Sequence, residues 1–170
     1  MSITVISIII LLVILSFIAY INFDYSSKYK KTEKDLYSEA LDLLLTGKLK
    51  EAYATLLSLI KNDTSNVKAY LKLGQVLREI GNPERALKIH RSLLIRKDLT
   101  TYEKIELLKN IALDYKHIKR INDSIIQCLD ILKLEKKNEW ALLELIDLYK
   151  SVDDWNSSQK YLERYQKITG

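Results

Sequence analysis

The stretch YLKLGQVLREIGNPERALKIHRSLL, Tyr70 to Leu94, decides the fold. Tyr70, Leu73, Gly74 and Leu77 recur at helical spacing, so one face of the first half is apolar. Gly81-Asn82-Pro83 then breaks the pattern. Glycine suits a helix end, asparagine a cap, and proline the first position of the next helix. The second half resumes with Ala86 and Leu93. This is the pattern of a helical hairpin. Small residues, Gly74 and Ala86, let the two helices approach closely, and large neighbours fill the groove beside them.

The same signals lie one period upstream. Gly47 and Ala52 recur as Gly81 and Ala86, an offset of 34 residues. That offset is the tetratricopeptide period. On this frame residues 33–170 divide into four units: Glu33 to Asn66, Val67 to Thr100, Ile105 to Asn138 and Glu139 to Gly170. Ala40 and Ala112 repeat the small residue of the first helices; Ala52, Ser124 and Ser158 repeat that of the second. Ile146 breaks the rule and predicts looser packing in the fourth unit. A single hairpin cannot bury its own apolar face, so the units are expected to stack. Thr100 with Glu103 matches a capping box. The join between the second and third units is four residues longer than the period. The insertion, around Lys97 to Lys104, is expected to lengthen a loop or a helix start. Four Gly and one Pro are too few for the turns of a β-sandwich or barrel. The expected fold is all-α: an N-terminal transmembrane helix followed by an α-solenoid of about four tetratricopeptide hairpins.

The expected anchor occupies residues 1–23, with a juxtamembrane linker at 24–32. Its core, Ile3 to Ile21, reads ITVISIIILLVILSFIAYI without a charge. Nineteen helical residues rise about 28 Å, close to the hydrocarbon thickness of a bilayer. The stretch is too long for a signal-peptide core and lacks a basic leader and a small-x-small site. Lys28, Lys30, Lys31 and Lys34 follow it, which predicts a cytoplasmic repeat domain.

The net charge is +5, but basic and acidic residues are interspersed, so nucleic acid is not an expected partner. A lone cysteine, Cys128, excludes an internal disulfide and any C-x-x-C knuckle. His90 and His117 are read as packed or capping residues, too few for a metal site. There is no nucleophile triad, P-loop, dinucleotide fingerprint or H-E-x-x-H, so no catalytic residue, cofactor or metal is expected. The remaining candidate site is the concave face formed by first helices. At spacing i, i+3, i+7, i+10 it takes Lys68, Leu71, Gln75 and Arg78 from the second unit. The third supplies Lys109, Leu113 and Lys116, beside Glu106. Trp140, Leu143 and Lys150 come from the fourth. Cations mixed with apolar anchors suit an acidic-hydrophobic peptide or helix. In the first unit Tyr37, Leu41, Leu44 and Leu45 form an apolar stripe on the same face.

Particular residues carry a closer likeness: YSEALDLLLTGKLKEA (37–52), YLKLGQVLREIGNPERALKIHRSLLIRKDLT (70–100) and LDY (113–115). On these the chain resembles the lipopolysaccharide assembly protein B family, bacterial inner-membrane tetratricopeptide proteins. The resemblance implies a single-pass inner-membrane adaptor that regulates lipopolysaccharide biosynthesis. Its implied partners are a membrane AAA+ zinc protease and the deacetylase that commits precursor to lipid A. The family has more repeats and ends in a rubredoxin-like domain with paired C-x-x-C ligands, which this sequence lacks; a short form is expected. The alternative is a structural scaffold for envelope assembly, acting through homo-oligomerisation.

Overall fold

The computed structural model describes residues 3–28 and 32–170, with side chains described for 8–20 and 32–170. Among these residues there are helices and no strands. The chain forms two compact units, Met1–Asp35 and Leu36–Gly170.

The first unit holds α1, Ile3–Lys28. Side chains from Ile8 to Tyr20 are all exposed. Among the described residues no helix is long and apolar enough to cross a membrane. The expected span Ile3 to Ile21 extends past the described side chains at both ends.

Four antiparallel hairpins follow, as the repeat predicts. They pair α2 (Glu33–Leu45) with α3 (Leu49–Asn62), and α4 (Val67–Glu79) with α5 (Pro83–Leu93). Next come α6 (Thr101–His117) with α7 (Ile121–Leu134), and α8 (Glu139–Ser151) with α9 (Trp155–Thr169). The predicted small residues sit where helices meet: Ala40, Ala52, Ala86, Ala112 and Ser124 are 0% exposed. On second helices serine does more than save space. Ser124 Oγ donates to the Ala112 carbonyl at 2.8 Å, and Ser158 Oγ to that of Ile146 at 3.1 Å. Ile146 is itself buried.

The turn inside every hairpin has the same geometry. Gly47, Gly81, Lys119 and Asp153 have φ of 71°, 84°, 63° and 58°. The residue after each donates its N–H to a carbonyl five positions back, as Asn82 does to Leu77 and Arg120 to Tyr115. This double-bonded left-handed cap satisfies carbonyls that a helix end leaves open. Asn82 was expected to cap α5, but its side chain donates weakly to Ile80 instead. Asn66, Asn138 and Asp154 do cap, accepting from Ala69, Ala141 and Ser157.

The insertion lengthens a helix start. Helix α6 has 17 residues where α4 and α8 have 13. The capping box holds that extra turn: Thr100 accepts from the Glu103 N–H and donates its own N–H back to Glu103 Oε2 at 2.9 Å.

The core lies in three clusters that straddle hairpin boundaries. Leu56, Leu59 and Leu73 pack together across the first boundary, Leu93, Leu107 and Ile111 across the second, and Ile131, Leu142 and Leu145 across the third. Each fully buried side chain of this kind contributes about 1.5–3 kcal/mol. Neighbouring hairpins therefore complete one another's cores.

Candidate functional site

First helices line a concavity of about 350 Å³. Helix α2 gives it Tyr37; α4 gives Lys68, Leu71, Lys72 and Gln75; α6 gives Tyr102, Glu103, Glu106 and Asn110. A shallower depression of about 340 Å³ continues along α2 and α4, lined by Leu41, Leu44, Leu45, Lys72, Gln75 and Glu79.

The charges of this groove are not equally available. Glu103 is occupied by Thr100, whose hydrogen bonds hold its carboxyl below the usual glutamate range. Glu106 is paired with Lys109 at 2.8 Å. The Lys72 ammonium donates to the neutral amide oxygen of Gln75, at 2.9 Å. Lys68 is exposed and in no ion pair among the described residues. The groove thus presents two lysines beside Glu103, which stays charged near Lys68, and Glu106, which Lys109 offsets. Burial, then the nearby Tyr102, raises the Tyr37 phenol above its ordinary value, so at neutral pH it is a neutral aromatic with an O–H to donate.

Of the residues expected on the concave face, the concavity gathers Tyr37, Lys68, Leu71, Gln75 and Glu106. Lys109 lies over the Trp140 ring at 5.7 Å, joining α6 to α8. Lys116 pairs with Glu144 at 2.5 Å. Leu113 is half-buried, and Leu143 and Lys150 are exposed. Tyr102 and Glu103 were missed because they ride on the inserted first turn of α6. The four-residue insertion announced that something moved there, but not that it faced Lys68.

Arg78 turns inward behind the groove residue Asn110, donating to its carbonyl and its side-chain oxygen, both at 3.4 Å. It is 8% exposed, and its Nη1 lies 2.5 Å from Asp114 Oδ1. The other Asp114 oxygen lies 2.5 Å from His90 Nδ1, and both Asp114 and His90 are 0% exposed. His90 Nε2 faces the Leu71 carbonyl at 3.2 Å. Both neighbours of the ring are acceptors, so it serves both only with a hydrogen on each nitrogen. Gly74 makes the room: a Cβ there would stand 2.2 Å from His90 Nε2. The expectation that Arg78 lines the groove therefore fails. A guanidinium beside a buried carboxylate is held in the core by an attraction no solvent-facing position offers. His90 is packed, as expected.

Cys128 is fully buried, and burial pushes its thiol up to about 12. Among the described residues no group of three or more His, Cys, Asp or Glu is placed to hold a metal ion.

No protein-family model matches the chain. It is 27% identical over 135 residues to lipopolysaccharide assembly protein B of Escherichia coli K12, a match covering 78% of this chain and 34% of that protein. The Escherichia coli O157:H7 protein matches equally. The chain thus spans about a third of the length of these curated relatives. A tetratricopeptide repeat protein from Parabacteroides merdae superposes with TM-score 0.68, at 18% identity, over 80% of this chain and 53% of that one. The chain has a tetratricopeptide-type fold and is similar in sequence to lipopolysaccharide assembly protein B. MamA from Desulfovibrio magneticus RS-1 shares the tetratricopeptide-type fold, with TM-score 0.70 at 15% identity over 82% of this chain and 77% of that one.

Proposed function

We propose that the chain is a protein-binding adaptor, held at the bacterial inner membrane by residues 3–21, with its repeats in the cytoplasm. The groove on α2, α4 and α6 takes a segment of a partner protein. In this role it regulates lipopolysaccharide biosynthesis by bringing a lipid A pathway enzyme, the deacetylase, to a membrane AAA+ protease. One observation carries the reading: a single concavity crosses three hairpins and offers Tyr37, Leu71 and Tyr102 as apolar anchors beside two lysines. Aromatic side chains in a groove are effective anchors for a bound peptide. The similarity to lipopolysaccharide assembly protein B supports the pathway.

The test is photo-crosslinking in native membranes with a reactive side chain at Leu71 or Gln75. The protease or the deacetylase should appear in the adduct, and Tyr102→Ala should cut its yield about tenfold. Adducts containing neither protein sink the proposal.

A second reading, an assembly scaffold built by oligomerisation, rests on α9. Trp155 is 62% and Leu162 40% exposed there, beside Tyr161 stacked on Tyr149 at 5.6 Å. A strictly monomeric chain in detergent argues against it.

A further inference from the structure

The loops that join one hairpin to the next, 63–66, 94–100 and 135–138, all follow second helices. In a stack of antiparallel hairpins they share one edge, opposite the turns inside the hairpins. Two arginines fasten this edge. Arg96 donates to the carbonyls of Ser65 at 2.8 Å and Thr64 at 2.6 Å, and lies over the Tyr70 ring at 5.1 Å. Arg164 of α9 donates to the Lys136 carbonyl.

The Arg96 anchor also fixes what its loop shows to solvent. Ile95 is 83% exposed and Leu94 45%, immediately before the anchored residue. A scattered exposed isoleucine is ordinary. Here it protrudes next to a fastened residue, and Leu134, 39% exposed, ends α7 at the same edge. The same edge carries Lys61, Lys97, Lys136 and Lys137, all exposed and in no ion pair among the described residues. The opposing charges of this edge are Asp63, Asp98, Glu135 and Glu139, Asp63 held ionised by the Ser65 hydroxyl and N–H, and Arg96 and Arg164 tip the balance of the edge to positive.

A projecting apolar tip on an edge with an excess of exposed cations suits a soft, negatively charged surface better than a pocket. We infer that the inter-hairpin edge rests on an anionic lipid bilayer, with Ile95 entering the headgroup layer and Lys97, Lys136 and Lys137 meeting lipid phosphates. This surface is separate from the groove and is used at the same time as it. It turns the array so that first helices stand beside the membrane rather than face it.

The full chain carrying Ile95→Cys, labelled with bimane, is the probe; Cys128 is buried and takes no label. Val152→Cys, in the turn between α8 and α9 on the opposite edge, is the control. Both are mixed with vesicles containing spin-labelled headgroups, either phosphatidylcholine alone or with about a third phosphatidylglycerol. On anionic vesicles the label at 95 should be quenched at least threefold more than that at 152. Lys97→Glu with Lys137→Glu, or neutral lipid, should remove most of that excess. Equal quenching at both positions, or indifference to lipid charge, overturns the inference. Self-quenching at 95 without lipid would assign the edge to a second copy of the chain and also overturn it. If the chain fails to co-float with neutral vesicles yet 95 is quenched on anionic ones, the anchor reading falls and this one stands.

Discussion

Two junctions in this array occupy the same frame and solve it in opposite ways. Where the second hairpin meets the third, Gly74, His90, Asp114 and Arg78 form a buried ionic cluster. Where the third meets the fourth, the same positions hold Ala112, Cys128, Leu148 and Lys116. The first three of these are 1% exposed or less and belong to one apolar cluster. Lys116 stays 40% exposed and pairs with Glu144, which is 13% exposed. The repeat backbone therefore constrains volume more tightly than polarity. Glycine with histidine and alanine with cysteine divide similar space differently. Once an imidazole is buried it brings a carboxylate with it, and the carboxylate recruits the arginine. No buried side-chain nitrogen or oxygen lacks a partner among the described residues, so the cluster is complete.

The largest effect should come from breaking that completeness. Asp114→Ala leaves Arg78 and His90 buried without their acceptor and should cost about 3–5 kcal/mol in urea unfolding. Transplanting the apolar solution is the stricter test. Gly74→Ala, Arg78→Lys, His90→Cys and Asp114→Leu, together with Asn110→Glu to supply the counterpart of Glu144, should bring stability to within about 1 kcal/mol of the parent, because the buried carboxylate and imidazole go and the remaining lysine gains the partner that Lys116 has. A transplant as unstable as Asp114→Ala would show that the junctions are not interchangeable.

Gly74 sharpens the comparison at one atom. Gly74→Ala alone drives a methyl into the His90 ring and should cost about 1–3 kcal/mol. With His90→Cys in place the added methyl should cost far less. The coupling in that double-mutant cycle measures how much of the glycine requirement belongs to the imidazole.

The inserted turn of α6 is a smaller lever at the same junction. Thr100→Ala should cost about 1 kcal/mol. Its pH dependence follows from Glu103, whose carboxyl is held below its ordinary 4.5 first by the Thr100 N–H, which the variant keeps, and then by the Thr100 hydroxyl, which it loses. A lowered folded value means the contribution is present above the ordinary value and lost as pH falls through the lowered one. The gap between Thr100→Ala and the parent should narrow below about pH 4, as read by thermal melts across that range.

The hairpins were legible because their signals are local. Gly47 and Gly81 mark two turns, Ala52 and Ala86 two close approaches, and Thr100 with Glu103 a helix start. The other two turns hide, because Lys119 and Asp153 take the left-handed conformation without being glycine. The half-buried residues of the groove were less legible. Helical spacing put Arg78 on the concave face, and as backbone geometry that is sound. What spacing cannot carry is a partner 36 residues away: only the stacked structure places Asp114 where it draws the guanidinium inward. Tyr102 and Glu103 stayed hidden for the related reason that an insertion resets the face of the helix it extends. Long-range electrostatics and register, not propensity, separate the groove as read from the groove as built.

The smallest effect tests whether a pair's frame position or its burial sets its worth. Lys116 stands at the position of Arg78, and its contact with Glu144 is as short, 2.5 Å in both cases. If distance ruled, Lys116→Met would cost as much as Arg78→Met. The lysine is 40% and its glutamate 13% exposed, where the arginine is 8% and its aspartate 0%, so water reaches the carboxylate left behind at the first site and not at the second. Lys116→Met should therefore cost about 0.2–1 kcal/mol and less in high salt. Arg78→Met, which leaves Asp114 buried beside His90 alone, should cost several times more and respond little to salt. Urea titrations of both variants at low and high ionic strength separate the two cases. Equal losses with equal salt dependence would mean that burial does not distinguish these junctions.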